Sequence, residues 1–209
     1  MKTKLLLHLL AVLALEVLST TSSHSQTVIT FDNPPLNTGT GSYIVSPYEG
    51  LSWSNFGRVN GVLAPTVYPF VTNGSYYGIV SGSNVAINGL GEPAEIDSAT
   101  NFDFLSAYLT GVWNSNLNID VQGFVGATLL YETTVVASAT SPTLFTFNYM
   151  DIDRLYFSSS GGELAFGTSP AEHFAMDNFT FEFIPEPSSL LLAAVGGISL
   201  VALLRRRQA

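Results

Sequence analysis

The sequence predicts an all-β domain, an antiparallel β-sandwich of the jelly-roll type. An N-terminal signal helix and a short C-terminal transmembrane helix are expected to flank it. Three observations support the fold: apolar and polar residues alternate in many short segments, turn dipeptides separate these segments, and helical periodicity is hard to find between Gln26 and Phe183. With 209 residues, of which 46% are hydrophobic, the chain is long enough for one ordinary domain plus targeting segments.

Residues 1–25 are expected to be a secretory signal peptide. Two lysines precede a short apolar stretch, and Ser23 and Ser25 fit the −3 and −1 positions of a cleavage site before Gln26. The stretch is shorter than the roughly 20 residues that a permanent membrane-spanning helix needs. The sequence therefore favours a cleaved signal over an uncleaved anchor helix.

Residues 26–184 are expected to form the β-sandwich ectodomain. The segment LNIDVQ (117–122) and the segment FTFEF (179–183) alternate apolar and polar residues, as half-buried strands do. Dipeptides such as Asn73-Gly74 tolerate positive φ and indicate turns. Strands are predicted near residues 27–32, 42–46, 51–56, 76–80, 84–88, 101–113, 116–125, 128–137, 143–149, 154–159 and 173–183.

The charge of the central domain is strongly negative. Arg58 and Arg154 are the only basic residues between Gln26 and Ile184, against fourteen acidic residues, which gives a net charge of −12. Phosphate backbones and anionic membrane surfaces should repel such a domain, so no nucleic-acid partner is expected. Divalent cations are the charged ligands that it should attract.

The residue types present exclude many reactions. The chain has no cysteine, and the domain has no lysine and one histidine, His173. Zinc sites, cysteine nucleophiles, iron–sulfur clusters and Schiff-base lysines are therefore absent from the expected chemistry. No Gly-x-Ser-x-Gly elbow is present for a serine triad. We expect no catalytic residue and no bound cofactor, with calcium as the one candidate ion.

Paired carboxylates are the one catalytic arrangement that passes this filter. Asp151 and Asp153 are two residues apart in the stretch YMDIDRLYF and would share a face if that stretch is a strand, and Glu92 and Glu95 lie close together in the stretch GEPAEID. A glycoside hydrolase needs only two carboxyl groups at a suitable separation. The alternative is a solvated turn in which Arg154 offers a partner charge.

Asp32 and Asp177 are the candidate calcium ligands. Asp32 follows the first predicted strand and Asp177 lies in the last one, so pairing of the terminal strands would bring them together. Calcium takes oxygen ligands from carboxylates and main-chain carbonyls. The alternative is that both carboxylates accept hydrogen bonds in turns.

Tyr76 and Tyr77 are the candidate glycan contacts. They follow the turn dipeptide Asn73-Gly74, which favours exposure, and flat aromatic rings are what sugar-binding proteins use. Trp53 is expected to pack in the core instead. Tyr48 and Trp113 are further aromatic residues available for such a surface.

The C-terminal segment has three parts. They are the triplet Pro185-Glu186-Pro187, an apolar run at 190–204, and the basic cluster Arg205, Arg206 and Arg207. The 15-residue run would extend about 22 Å as a helix, short of the roughly 30 Å hydrocarbon core of a bilayer. The arginines would hold its end on the cytoplasmic side. A transient membrane stop therefore fits better than a permanent anchor.

This tripartite segment, residues 185–209, resembles the PEP-CTERM sorting signal of exported proteins from Gram-negative bacteria that make exopolysaccharide. The resemblance implies recognition by an exosortase, a membrane-embedded enzyme, with processing at or near the Pro-Glu-Pro motif. Export also implies the Sec translocon and signal peptidase as partners. A membrane-anchored precursor would then become a protein of the cell surface or extracellular matrix.

The central domain is similar to the ectodomain common in such proteins. The resembling stretches are ITFDN, GLSWSNF, FDFLSAYLTGVWN, SPTLFTFNYMDIDRLYFSSSGG and HFAMDNFTFEF, with Ser141 standing where a glycine is expected. The resemblance supports location and fold, and it implies little about a ligand.

The expected function is that of a non-enzymatic structural or carbohydrate-binding protein in an exopolysaccharide or biofilm layer. The runner-up is a carboxylate-based glycoside hydrolase or lyase that acts on matrix polysaccharide. A passive secreted protein, whose signal only controls its release, is the third alternative.

Overall fold

Antiparallel strand pairing dominates the residues that the computed structural model describes, which are 25–67, 72–168 and 171–184. They belong to one compact unit, Ser25–Ile184. The predicted signal helix, the sorting triplet and the predicted transmembrane segment at 190–204 lie outside the described residues. Within the described part, no helix is long and apolar enough to cross a bilayer.

Twelve strands and two short helices are found in the described part. The strands are Thr27–Ile29 (β1), Ser42–Tyr43 (β2), Ser52–Ser54 (β3), Phe56–Asn60 (β4), Asn84–Asn88 (β5), Ala94–Gly111 (β6), Asn114–Ser115 (β7), Leu117–Val125 (β8), Thr128–Ala137 (β9), Thr143–Ser160 (β10), Glu163–Leu164 (β11) and Phe174–Phe183 (β12). The helices are Ala64–Val67 (α1) and Gly74–Tyr77 (α2), and a 3₁₀ turn spans Gly89–Gly91.

Two long strands, β6 and β10, run through both layers of the sandwich. The ladder has the order β2-β4-β5-β12-β6-β10-β8-β9, with β1 added to β12 and β3 added to β6. The second half of β6 pairs with β12 and the first half of β10, whereas its first half pairs with β3 and the second half of β10. Strands β8 and β9 then extend the second layer. The predicted all-β antiparallel sandwich is confirmed.

Bulges in β10 let the strand pass from one layer to the other. Its register against β6 shifts three times between Thr146 and Arg154, and Asn148 and Asp151 have positive φ values of 51° and 58°. Bulges bend a strand and increase its local twist, which is how strands change layers. The prediction of separate strands at 143–149 and 154–159 was wrong in this respect, because the bulges interrupt the alternation without ending the pairing.

Aromatic side chains fill the core between the layers. Phe104 stacks on Phe147 and on Phe179, with ring centroids 4.8 Å away in both cases, and it contacts Phe157 from the opposite layer. Trp53 is 6% exposed and packs edge-on against Phe179, as the sequence predicted for a core residue. Offset and edge-on ring pairs of this kind stabilise a core beyond their buried area.

Helix α2 occupies the position of the strand predicted at 76–80, so that prediction was wrong. The Asn73 side-chain oxygen accepts hydrogen bonds from the Ser75 main-chain N–H (3.0 Å) and from the Ser75 hydroxyl (2.6 Å), which caps the helix. A Cβ at Gly74 would lie 1.8 Å from the Gly111 carbonyl oxygen, so only glycine fits there. The dipeptide Asn73-Gly74 therefore begins a helix against β6 and does not close a hairpin.

Candidate functional site

An exposed group of aromatic side chains lies at helix α2. Tyr76 is 43% exposed and Tyr77 is 37% exposed, and their rings meet edge-on with centroids 5.5 Å apart. The Tyr77 ring also stacks on Phe166 at 5.5 Å, with an angle of 17° between the rings. We call Tyr76, Tyr77, Phe166 and the neighbouring Trp113 the aromatic patch.

Residues 112–113 position both halves of the aromatic patch. The Gly74 N–H, at the start of α2, donates to the Val112 carbonyl (2.9 Å). The Trp113 carbonyl accepts from the main-chain N–H groups of Ala165 (2.8 Å) and Phe166 (3.1 Å). One short segment therefore holds both the helix that carries the tyrosines and the loop that carries Phe166. Exposed flat rings held in this way can stack on sugar rings.

The sequence predicted the exposure of the two tyrosines, and their contact with a glycan stays a prediction. Phe166 was missed because it lies in a polar, glycine-rich loop without periodicity, 89 positions after Tyr77. The one sequence feature that could have indicated Phe166 is its residue type, because it is an aromatic residue in a loop, between Ala165 and Gly167.

Asp32 and Asp177 reach the same loop, residues 80–84, because the terminal strands pair. Strand β1 is antiparallel to β12, with Ile29 opposite Phe179. One oxygen of Asp177, Oδ2, accepts the N–H groups of Val80 (2.8 Å) and Ser81 (2.9 Å). We call residues 80–84 the clamped loop.

Asp32 binds the other end of the clamped loop. Its Oδ1 accepts the N–H groups of Ser83 (2.8 Å) and Asn84 (3.1 Å). A Cβ at Gly82 would lie 2.0 Å from Asp32 Oδ2, so the loop can run this close to the carboxylate only with glycine at its centre.

Asp177 is buried completely, and its carboxyl group is perturbed. Burial raises the pKa of Asp177 to about 6, and the nearby charge of Asp32 adds to the increase. Hydrogen bonds from Ser81, Val80 and Asn178 lower the pKa, but they do not offset the burial. The buried Asp177 and the half-buried Asp32 therefore both bind the clamped loop.

The carboxylates proposed for catalysis each bind a different neighbour. Asp151 Oδ1 accepts from the Asn101 side-chain amide (2.8 Å), whereas Asp153 Oδ2 accepts from the Gly126 N–H (2.7 Å). A register shift separates them, which removes the simple same-face relation of residues two apart in a strand. Their hydrogen bonds fix a bulge and a turn.

Glu92 and Glu95 are also separated by the structure. Glu92 follows the 3₁₀ turn, and Glu95 lies in β6 opposite Ser54. Glu95 instead has Asp97 for a neighbour: burial raises the pKa of Asp97, and the charges of Glu95 and Asp153 raise it further. Asp97 was missed because no sequence pattern places it close to Asp153, which lies 56 positions later.

His173 is not placed among reactive groups. Burial lowers its pKa, and its main-chain carbonyl accepts the Val112 N–H. Within residues 25–67, 72–168 and 171–184, no group of three or more His, Cys, Asp or Glu side chains lies together to hold a metal ion.

Comparison with known protein families gives a match in the C-terminal segment. The model of the PEP-CTERM protein-sorting motif matches residues 183–208, which include the predicted triplet and the basic cluster. No curated protein matches the sequence.

Among solved structures, one similar chain is a family 89 glycoside hydrolase from Clostridium perfringens in complex with 2-acetamido-1,2-dideoxynojirmycin. Its identity is 7% and its TM-score 0.36, over 63% of this chain and 14% of that chain. Another is TmCBM61 in complex with beta-1,4-galactotriose, at 10% identity and a TM-score of 0.31, over 79% of this chain and 90% of that chain. The present chain thus spans a small fraction of the hydrolase.

Proposed function

We propose that this chain, whose C-terminal segment matches the PEP-CTERM protein-sorting motif, is a non-enzymatic component of an extracellular polysaccharide layer and binds glycan through the aromatic patch. The sorting motif at residues 183–208 implies export, a membrane-anchored precursor and recognition by an exosortase. The final location at the surface or in the matrix of a Gram-negative bacterium is part of the proposal.

The exposed tyrosine pair is the observation that carries the glycan-binding part. Tyr77 is held from behind by Phe166 and flanked by Tyr76, so its position is fixed before any ligand arrives. Preorganised aromatic rings lose little conformational entropy on binding, which favours affinity. The domain charge of −12 favours neutral sugars over acidic ones, because acidic glycans would be repelled.

Replacing Tyr77 with Ala is expected to weaken retention on the host's own polysaccharide at least about tenfold, since aromatic anchors at binding surfaces contribute roughly 2 kcal/mol or more. The measurement is a pull-down with the full chain, purified in mild detergent. Tyr43→Ala is the matched control, because Tyr43 is 67% exposed and lies on β2, outside the patch. Equal retention of the Tyr77→Ala variant and the unchanged protein contradicts binding through the patch.

Processing is tested separately by the intact mass of the protein from its native host. We expect the mass of a chain that ends near Pro185-Glu186-Pro187. Replacing both prolines of the triplet with Ala should leave the C-terminal segment attached, whereas Pro142→Ala, a proline outside the motif, should not. Retention of the segment in the unchanged protein would argue against exosortase processing.

A carboxylate-based glycoside hydrolase or lyase is the second candidate. One observation favours it: burial and the nearby charge of Glu95 raise the pKa of Asp97, although Arg154 lowers it, and a carboxyl group of raised pKa close to other carboxyl groups suits general acid catalysis. This candidate predicts release of reducing sugar from matrix polysaccharide that disappears in Asp97→Asn and Asp153→Asn variants. Absence of release by the unchanged protein leaves the binding function.

A further inference from the structure

Three side chains that offer oxygen atoms with unused lone pairs lie at the clamped loop. We infer that Asp32, Asp177 and Asn84 form a calcium site that fastens residues 80–84 to the paired terminal strands. The inference is independent of glycan binding, since the aromatic patch uses none of these side chains.

Each of the two carboxylates keeps accepting capacity after its hydrogen bonds are counted. Asp32 receives both of its main-chain N–H groups on Oδ1, which leaves Oδ2 without a hydrogen-bond donor in the described part. Asp177 receives two N–H groups on Oδ2, and Oδ1 takes the Asn178 N–H at 2.7 Å with a long contact of 3.4 Å from the Ser81 hydroxyl. Each carboxylate therefore has an oxygen that can bind a cation.

Asn84 supplies an independent observation. It is 1% exposed, and its side-chain oxygen Oδ1 has no hydrogen-bond partner among the described residues. Its main-chain N–H donates to Asp32, and its Nδ2 donates to the Phe31 carbonyl (3.2 Å), so the side chain lies against residues 31–32. Rotating the amide by 180° would place Oδ1 against the Phe31 carbonyl oxygen, so the rotation would not give Oδ1 a hydrogen-bond donor. A buried amide oxygen without a partner is costly, and a cation would satisfy it.

The chemistry of the group selects calcium. All three side chains offer oxygen, and two of them are carboxylates, a ligand set that suits calcium better than zinc or copper. Arg58 is the basic residue closest in sequence to Asp32. Its Nη1 donates to the main-chain carbonyls of Phe31, Asn33 and Pro34, so these hydrogen bonds do not go to the Asp32 carboxylate. Calcium accepts irregular sets of carboxylate, amide and main-chain oxygens, and solvent can complete its coordination.

The competing explanation is that Asp32 and Asp177 only accept hydrogen bonds from the clamped loop and bind no ion. The Asp32→Asn variant distinguishes this explanation from the calcium site. Asparagine retains an Oδ1 acceptor for the N–H groups of Ser83 and Asn84, but it lacks the charge and the second oxygen that calcium would use. We therefore expect Asp32→Asn to unfold near the temperature of the unchanged protein in chelator. We expect it to lose the stabilisation by calcium.

The experiment is thermal unfolding of the full chain in mild detergent, with a chelator or with millimolar calcium chloride. Calcium should raise the midpoint of the unchanged protein by several degrees, because an ion bound only in the native state stabilises it. The matched control is Asp120→Asn, which removes one negative charge from β8, away from the clamped loop, and should respond like the unchanged protein. Asn84→Ala should need at least about tenfold more calcium for the same shift.

Two results would contradict the inferred calcium site. One is an unchanged midpoint of the unmodified protein at saturating calcium. The other is a calcium shift that Asp32→Asn retains in full, which would place the ion elsewhere. Loss of the shift in Asp32→Asn together with its persistence in Asp120→Asn supports the site.

Discussion

Replacing Phe104 with Ala is expected to lower the free energy of unfolding by about 4 kcal/mol, the largest effect of a single core substitution that we predict. Phe104 is completely buried on β6 and stacks on rings from β10 and β12, and it contacts Phe157 in the opposite layer. Truncation would leave a cavity lined by rigid aromatic rings, which cannot collapse easily. Chemical denaturation of the full chain measures the change.

Leu144→Ala is the control for Phe104→Ala. Leu144 lies on β10, one of the strands that Phe104 contacts, but it is 49% exposed, so its truncation should cost no more than about 0.5 kcal/mol. Comparable losses in the two variants would contradict the assignment of Phe104 to the core between the layers.

Replacing Asp177 with Asn is expected to destabilise the protein by about 3 kcal/mol in the presence of a chelator. Both oxygens of Asp177 accept main-chain N–H groups, so either orientation of an amide would turn its NH₂ group towards a donor. Buried N–H groups would lose their acceptors, and the clamped loop would lose its attachment to β12. A neutral amide avoids the desolvation cost that burial imposes on the Asp177 carboxylate, whose pKa it raises to about 6, and this gain offsets part of the loss.

Asp32→Asn is the comparison for this prediction as well. Asp32 uses one oxygen for both of its N–H partners, so an amide can preserve them, and the expected change is within about 1 kcal/mol. The measurement is chemical denaturation of both variants at pH 7 in chelator. Equal stability of the Asp177→Asn and Asp32→Asn variants would contradict the prediction. It would show that stability does not depend on whether one or both carboxylate oxygens accept main-chain N–H groups.

Strand alternation was the most reliable guide to the fold. Segments such as 117–122 and 179–183 have one polar and one apolar face, and both are strands in the structure. The expected pairing of the terminal strands was enough to predict that Asp32 and Asp177 lie close to each other, and both bind one loop in the structure. These features depend on local periodicity and on one long-range contact, which a sequence can suggest.

The remaining features depend on contacts that have no local pattern. Helix α2 is only four residues long, and its cap at Asn73 looks the same in sequence as a hairpin turn. The fusion of two predicted strands into β10 depends on bulges at Asn148 and Asp151, where the backbone takes positive φ. The stacking of Phe166 on Tyr77 and the unpartnered oxygen of Asn84 depend on loop geometry that arises only after the sheets have packed.

The scarcity of basic residues has a consequence for proteolysis. Between Gln26 and Ile184 a protease of trypsin-like specificity can cut only after Arg58 and Arg154. Arg58 is 8% exposed in β4 beside the Tyr48 ring, and Arg154 lies inside β10 with its guanidinium 4.3 Å from the centroid of the Phe124 ring. Both bonds are held in paired strands, so cleavage has to wait until the sandwich opens. The folded domain should survive such proteases for as long as it stays folded, and its digestion by trypsin should report the rate or extent of unfolding directly.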